Sequence, residues 1–304
     1  MMSRLKILFV VDKFDDVMRD RRSPYPGGAE MTDAALIEVC PWKVEPVRIK
    51  ELKPGHLSGF DIHILGNLSL ASRQQIRDFC LSGRHILFEH DVRICRYRGN
   101  FPEAKEPIHR FTHRCICPHF YLRSLYRSAL GVIFLTHRQM ATYHTNPFFS
   151  CSNKLVLGSS VMNRAFFKRV DQLPACPDIR KQGTCVAFSR GPIKGFKRAM
   201  KYCRDHGITP RIIKDLRPDQ ILDIFEQSRR FVFLPLALEP AGRMPVEARL
   251  LGCEVVVNQY VGVAGEAWWN GDDDQALEFV KDTPARFWRQ VRHLYDMNIS
   301  HRPD

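Results

Sequence analysis

The chain is predicted to be an α/β protein made of two doubly wound parallel-sheet domains that face a cleft. Three observations predict this. Short β-rich apolar runs alternate with helical stretches through both halves of the sequence. The first run, Leu5 to Val11, is apolar throughout rather than alternating, as expected of a strand buried on both faces. The length of 304 residues suits two domains of modest size.

The elements follow in order. After the first strand comes a long polar loop, Asp12 to Pro26, and Gly27-Gly28 opens a helix that ends near Cys40. Val44 to Ile49 and Ile62 to Leu65 are short strands, Ser72 to Leu81 a helix with Ile76, Phe79 and Cys80 on its apolar side, and His85 to Phe88 a strand. Tyr121 to Ser128 is a helix, Gly131 to Leu135 a strand, and Lys154 to Leu157 closes the first series. Asp171 to Gly183, with two prolines, is the linker. The second series has strands at Thr184 to Phe188, Arg211 to Ile213, Phe231 to Leu234 and Glu254 to Asn258. Its helices are Phe196 to Asp205, Asp219 to Gln227 and Met244 to Leu251, with a last helix over Thr283 to Met297. This divides the chain into an N-terminal, acceptor-side Rossmann-like domain (1–170), a C-terminal Rossmann-like, ligand-binding domain (171–282) and a terminal helix (283–304) expected to pack back on the first domain. Right-handed crossovers restrict both domains to doubly wound forms.

Lys and Arg outnumber Asp and Glu by 46 to 33, for a net charge of +13. That favours polyanionic partners: phosphorylated ligands, an acidic membrane surface or nucleic acid. The cations are dispersed, which argues against a basic nucleic-acid-binding tail. No apolar run is long enough to span a bilayer, and the start of the chain lacks a signal-peptide pattern, so the expectation is a cytoplasmic protein. Ten scattered cysteines in a chain of this size are expected to be reduced thiols.

Ligands of open α/β sheets bind beyond the carboxyl ends of the strands. Four loops there carry the candidate residues. In the loop after Phe231 to Leu234, Glu239 is followed by Gly242, which lets backbone approach a ligand. Arg243, Met244 and Pro245 then start a helix carrying Glu247. The helix N-terminus suits a diphosphate, and the two carboxylates suit hydroxyls on either side of it. The loop after Thr184 to Phe188 brings Arg190 and Lys194 with Gly191 and Gly195 to the same edge. These cations would clamp a pyrophosphate and stabilise it as a leaving group. Gly27 and Gly28 open a helix after a loop long enough to suggest function. Glu89-His90-Asp91 follows a buried strand, and His90 is expected to face the cleft, where it would donate to a sugar hydroxyl or transfer a proton. Each feature alone has a plainer explanation, as a surface turn, a first-turn acid or a structural histidine. What gives them weight is their coincidence at strand ends.

Together these loops resemble the family 4-like glycosyltransferases of the GT-B fold. The resemblance runs in order through most of the chain: Gly27 to Glu30, Glu89-His90-Asp91, Arg190 with Lys194-Gly195, and Glu239 and Glu247 with seven residues between them. The most specific part is the stretch from Glu247 to Val257, Glu-Ala-Arg-Leu-Leu-Gly-Cys-Glu-Val-Val-Val. The resemblance implies a retaining transfer from a UDP- or GDP-sugar without a metal or other cofactor. Glu239 would contact the transferred sugar, Glu247 the ribose, and Arg190 and Lys194 the leaving diphosphate. Gly242 and Arg243 would supply backbone contacts, and His90 would lie near the sugar from the N-domain side. The chain departs from the pattern in being short, in a compressed Arg190–Lys194 loop, and in having Ala241 where an aromatic residue is common.

The expected acceptor is a carbohydrate or a lipid-linked molecule, with peripheral contact to an acidic membrane surface. The alternatives are a sugar transferase acting on a nucleic-acid base and a non-catalytic nucleotide-sugar-binding protein. Cys95, His109, His113, Cys115, Cys117 and His119 lie together in sequence but match no regular zinc spacing and lack a C-x-x-C pair. A structural zinc is the lesser alternative, and the segment is expected to be an acceptor-side loop, its Arg93, Arg96, Tyr97, Arg98, Arg110, Arg114, Tyr121 and Arg123 facing a polyanion.

Overall fold

A computed structural model describes residues 5–14, 25–105, 107–112, 114–118, 120–173 and 181–299. Most of the long loop after the first strand, the centre of the linker, His113 and His119 lie outside the described residues.

The first sheet has six parallel strands: β1 (Lys6–Val11), β2 (Lys43–Arg48), β3 (Ile62–Leu65), β4 (His85–Glu89), β5 (Gly131–Phe134) and β6 (Lys154–Val156), in the order β2-β1-β3-β4-β5-β6. The second has four: β7 (Thr184–Ala187), β8 (Arg211–Ile213), β9 (Arg230–Phe233) and β10 (Glu254–Val257), in the order β10-β9-β7-β8. Every pairing in both sheets is parallel. The predicted two-part doubly wound α/β architecture is thus observed, with strand ends within about one residue of expectation. In each sheet the strand order reverses once, between β1 and β3 and between β7 and β9. A crevice opens at such points.

The helices are α1 (Gly28–Glu38), α2 (Arg73–Ser82), α3 (Pro107–Thr112), α4 (Phe120–Ser128), α5 (His137–His144), α6 (Arg164–Asp171), α7 (Phe196–Asp205), α8 (Pro218–Gln227), α9 (Arg243–Leu250) and α10 (Asp273–Ile299). Local chemistry explains several boundaries. Ser72 and Gln75 form a reciprocal capping box at the start of α2, and Gly83 ends it at φ 57°. Pro218 occupies the first turn of α8, where no intrahelical N–H is required. The helices α3, α5 and α6 are absent from the sequence reading. They have six to eight residues, too few for periodicity to stand out. Two of them start on caps visible in retrospect: Thr136 Oγ1 accepts from Gln139 N, and Asn163 Oδ1 from Phe166 N.

The strand β1 sends Ile7, Phe9 and Val11 to one core layer and Leu8 and Val10 to another, which is why its sequence is apolar throughout. The first of these layers continues into the second sheet through Phe231, Val246 and Val261.

The helix α10 begins ten residues before the expected Thr283 and runs through Pro284. Pro284 offers no N–H to the Val280 carbonyl, and one residue earlier Thr283 Oγ1 and Arg286 Nη2 both donate to the Phe279 carbonyl. The helix lies against the first domain. Phe287 packs edge-on to Phe88, with ring centroids 4.9 Å apart, and Trp288 Nε1 donates to the Leu36 carbonyl at 3.1 Å. Among the described residues no helix is long and apolar enough to cross a membrane.

Candidate functional site

The loops that follow β7 and β9 leave the sheet at its switch point and meet each other. Gly195 ends the first loop at φ +75°, and a Cβ there would stand 1.9 Å from the Leu234 carbonyl oxygen. Only glycine permits this approach. Leu236 N also donates to the Ile193 carbonyl at 2.7 Å, which ties the two loops together. Lys194 Nζ is thereby brought into a salt bridge with Glu239. A donation from Glu239 N to the Tyr260 carbonyl (2.8 Å) fixes the backbone under that carboxylate.

Gly242 adopts φ 64° and caps α9, turning the chain so that Arg243 and Glu247 lie on one face of the helix. Arg243 Nε donates to Glu247 Oε1 at 2.7 Å, and its Nη1 to the Val161 carbonyl of the first domain at 2.7 Å. Both side chains are buried. Burial pushes the Glu247 carboxyl above its ordinary value, against the charge and hydrogen bond of Arg243. Beyond the backbone contact expected of Arg243, its side chain is the partner of Glu247 and a bridge between domains.

Two cavities open on this junction. One, of about 310 Å³, is walled by Phe188, Leu216, Pro218, Ile221, Phe233 and Met244, and Gly28, Lys194, Glu239, Gly242 and Glu247 also line it. The other, of about 490 Å³, lies between the domains and has a larger polar share in its lining. It is lined by Glu30, His90, Asp91, Tyr97, Arg98 and Asn100 from the first domain and by Lys194, Glu239 and Gly242 from the second. Gly28, Lys194, Glu239, Gly242 and Arg243 border both. Of the predicted residues, Gly28, His90, Lys194, Glu239, Gly242, Arg243, Met244 and Glu247 thus meet at one cleft. Gly27 precedes α1 and lines neither cavity, and Arg190 lies exposed outside both linings.

His90 sits at the carboxyl end of β4 with its Nε2 2.8 Å from Asp33 Oδ1. Both side chains are almost fully enclosed. Burial works against the imidazolium, but the charge and hydrogen bond of Asp33 outweigh it and hold His90 above its ordinary value. Asp33 was missed in the sequence. Its signal was its position three residues after Glu30, on the same face of α1. Asp91 receives Arg98 Nε at 2.6 Å on Oδ2, while its Oδ1 is enclosed with no hydrogen-bond partner among the described residues.

Beneath this turn, Glu89 is fully buried and accepts from Tyr126 and Tyr143. Arg93 stands 3.4 Å from Glu89 Oε1 and donates to the carbonyls of Leu65, Gly66 and Phe88. The expectation that Arg93 faces a polyanion is therefore corrected. It is buried and pins the ends of β3 and β4. Tyr97 and Arg98 do line the cleft.

No family model matches the chain, and no curated protein matches it. Among solved structures, Anabaena Alr3699/HepE in complex with UDP is similar at a TM-score of 0.45 and 15% identity, covering 97% of this chain and 99% of that one. The T4 phage BGT in complex with UDP-glucose is similar at a TM-score of 0.44 and 9% identity, covering 96% and 98% of the two chains. S. aureus TarM, in complex with UDP among other ligands, is similar at a TM-score of 0.41 and 12% identity, covering 79% of this chain and 55% of that one.

Proposed function

We propose that the chain is a glycosyltransferase that moves a sugar from a nucleoside-diphosphate sugar, with retention, to a carbohydrate or lipid-linked acceptor. The observation that carries this is the meeting of an apolar cavity and a more polar interdomain cavity at Lys194, Glu239 and Gly242. The apolar walls suit a flat base, and Glu247 beside them suits ribose hydroxyls. Lys194, joined by Arg190 once a ligand draws that loop inward, neutralises the leaving diphosphate. The N-terminus of α9, from Gly242 through Met244, offers its amides to the same group. Charge neutralisation by these cations is the basis for a metal-independent transfer. Glu239 holds the sugar, and His90 and Asp91 face it from the opposite wall.

The donor base, UDP or GDP, is identified by thermal unfolding against UDP, GDP, ADP and CMP. A ligand at a hundred times its Kd adds about 2.7 kcal/mol. A shift with one diphosphate, followed by turnover of its sugar conjugate in EDTA, supports the proposal. No shift with any nucleotide sinks it, and a shift without turnover on any acceptor indicates a binding protein. Acceptor screening separates glycans and lipids from DNA, whose modification would decline steeply with salt. Exposed Phe111, Phe120, Tyr121 and Phe148 form the candidate surface for peripheral contact with an acidic membrane. Co-sedimentation with anionic but not neutral vesicles tests it.

A further inference from the structure

Thirty residues separate the end of β4 at Glu89 from the start of α4 at Phe120, where most such connections take a handful. The described part of this segment has only a three-residue 3-10 turn (Phe101–Glu103) and α3, yet much of it is buried. Regular structure contributes little to holding it, so other bonds must.

Four side chains with metal-binding atoms converge inside it. The sulfurs of Cys95, Cys115 and Cys117 all lie within 4.8 Å of one another. His109 Nε2 is 3.4 Å from Cys117 Sγ. All four residues are buried, none more than 4% exposed. Tetrahedral zinc with Zn–S bonds of about 2.3 Å and a Zn–N bond of about 2.0 Å places sulfurs about 3.8 Å apart and nitrogen about 3.5 Å from sulfur. The three sulfurs need a contraction of at most about 1 Å to meet that geometry, and His109, already at that distance from Cys117, must turn further in to reach Cys95 and Cys115. Cys115 and Cys117 are two apart in an extended stretch, which puts both sulfurs on one side.

We propose that Cys95, His109, Cys115 and Cys117 form a Cys3His site for a structural zinc ion that fastens the β4–α4 connection to the first domain. A buried cysteine is ordinarily a small apolar residue, and Cys203 in the second domain fits that description. The cluster differs in that hydrogen-bond donors point at its sulfurs. Arg96 N lies 3.5 Å from Cys117 Sγ, and Asn146 Nδ2 3.3 Å from Cys115 Sγ. Such donors are the usual second layer around thiolate-bound metals. Zinc binding would displace the thiol protons of the cysteines.

The site is apart from the donor cavity, and its role is positional. Tyr97, Arg98 and Asn100 line the interdomain cleft on the same connection. Loss of the metal would loosen that wall, a consequence that rests on the transferase proposal. The metal content does not.

The test is elemental analysis of the full-length protein, expressed with zinc and purified under reducing conditions. About one zinc per chain is expected. Cys115→Ser and His109→Ala should each lose the metal, and Cys80→Ser, outside the cluster, should keep it. Cobalt(II) added to reduced, metal-stripped protein should give the visible bands of tetrahedral thiolate coordination, which keeps the test open if the cysteine variant fails to fold. A metal-free protein whose reduced form gives no such bands with cobalt, or a Cys95–Cys115 disulfide found in freshly purified protein, would overturn the proposal. Nucleotide-induced stabilisation reports separately on the donor site.

Discussion

Lys194 and Glu239 come from loops 45 positions apart and form a salt bridge at the point where both cavities open. Each therefore holds the other until a ligand competes for one of them. A diphosphate would draw off the lysine and free the carboxylate for sugar hydroxyls. Replacing Lys194 with Met should lower kcat by about 100-fold or more with little change in thermal stability, because the pair is partly solvent-exposed. Glu239→Gln should also lower turnover, yet leave the stabilisation by free nucleoside diphosphate intact. Steady-state kinetics combined with thermal shift checks both.

Glu247 calls for a milder substitution than alanine. Truncation strands the buried Arg243 guanidinium, so Glu247→Ala should cost about 3 kcal/mol in urea denaturation. Glu247→Gln preserves an acceptor for Arg243 Nε. It should fold normally while weakening nucleotide binding, as read by calorimetric titration.

Gly195→Ala should damage the site through the backbone. Its Cβ meets the Leu234 carbonyl, and its φ is left-handed, so a loss of about 2 kcal/mol or more is expected. Gly207 has a φ of +66° with open space around it. Gly207→Ala should therefore cost only about 1 kcal/mol, by the same denaturation assay.

Asp33→Asn removes the carboxylate that keeps His90 charged. Burial then dominates, and the His90 pKa should fall below that of the parent protein. NMR titration of the ring protons measures this directly. If His90 acts as the imidazolium, the alkaline limb of the pH–rate profile moves to lower pH in the variant.

His85 makes an acid-sensitive contribution to stability. Burial lowers its pKa to about 4, against the bond its Nε2 makes to the Leu125 carbonyl. The depressed group contributes stability present above its unfolded value of about 6.5, and that stability is lost as pH falls through about 4. Urea denaturation should show a decline of roughly 3 kcal/mol across that window in the parent protein. In His85→Gln the decline should be shallower.

Where the sequence was informative, the physics was local. A strand buried on both faces must be apolar throughout, which marks β1, and a glycine at a strand end followed by helix signals marks Gly195 and Gly242. Asp33, Tyr126, Tyr143 and Gln139 escaped notice because each looks like an ordinary helix residue. Their roles arise only when β4 brings Glu89 and His90 beneath them. The cysteines and His109 stood out in the sequence, but their convergence did not, for a related reason. They are spaced irregularly along the chain, and convergence in space leaves no periodic trace. Arg93 shows the converse failure, since a cation in a basic segment was taken as a surface group when three carbonyls and a buried glutamate claim it.

The polypeptide passes between the two sheets twice, and both passages lie side by side. Leu157 and Gly158, on the outgoing passage, accept from Arg286 and Trp268, which flank the returning one. Phe279 also sits against Gly158. Two adjacent strands of chain placed like the pins of a door would make any widening of the cleft swing about the line they share, with Arg243, bonded to the Val161 carbonyl, and Thr136, bonded to the Pro240 carbonyl, as its latches.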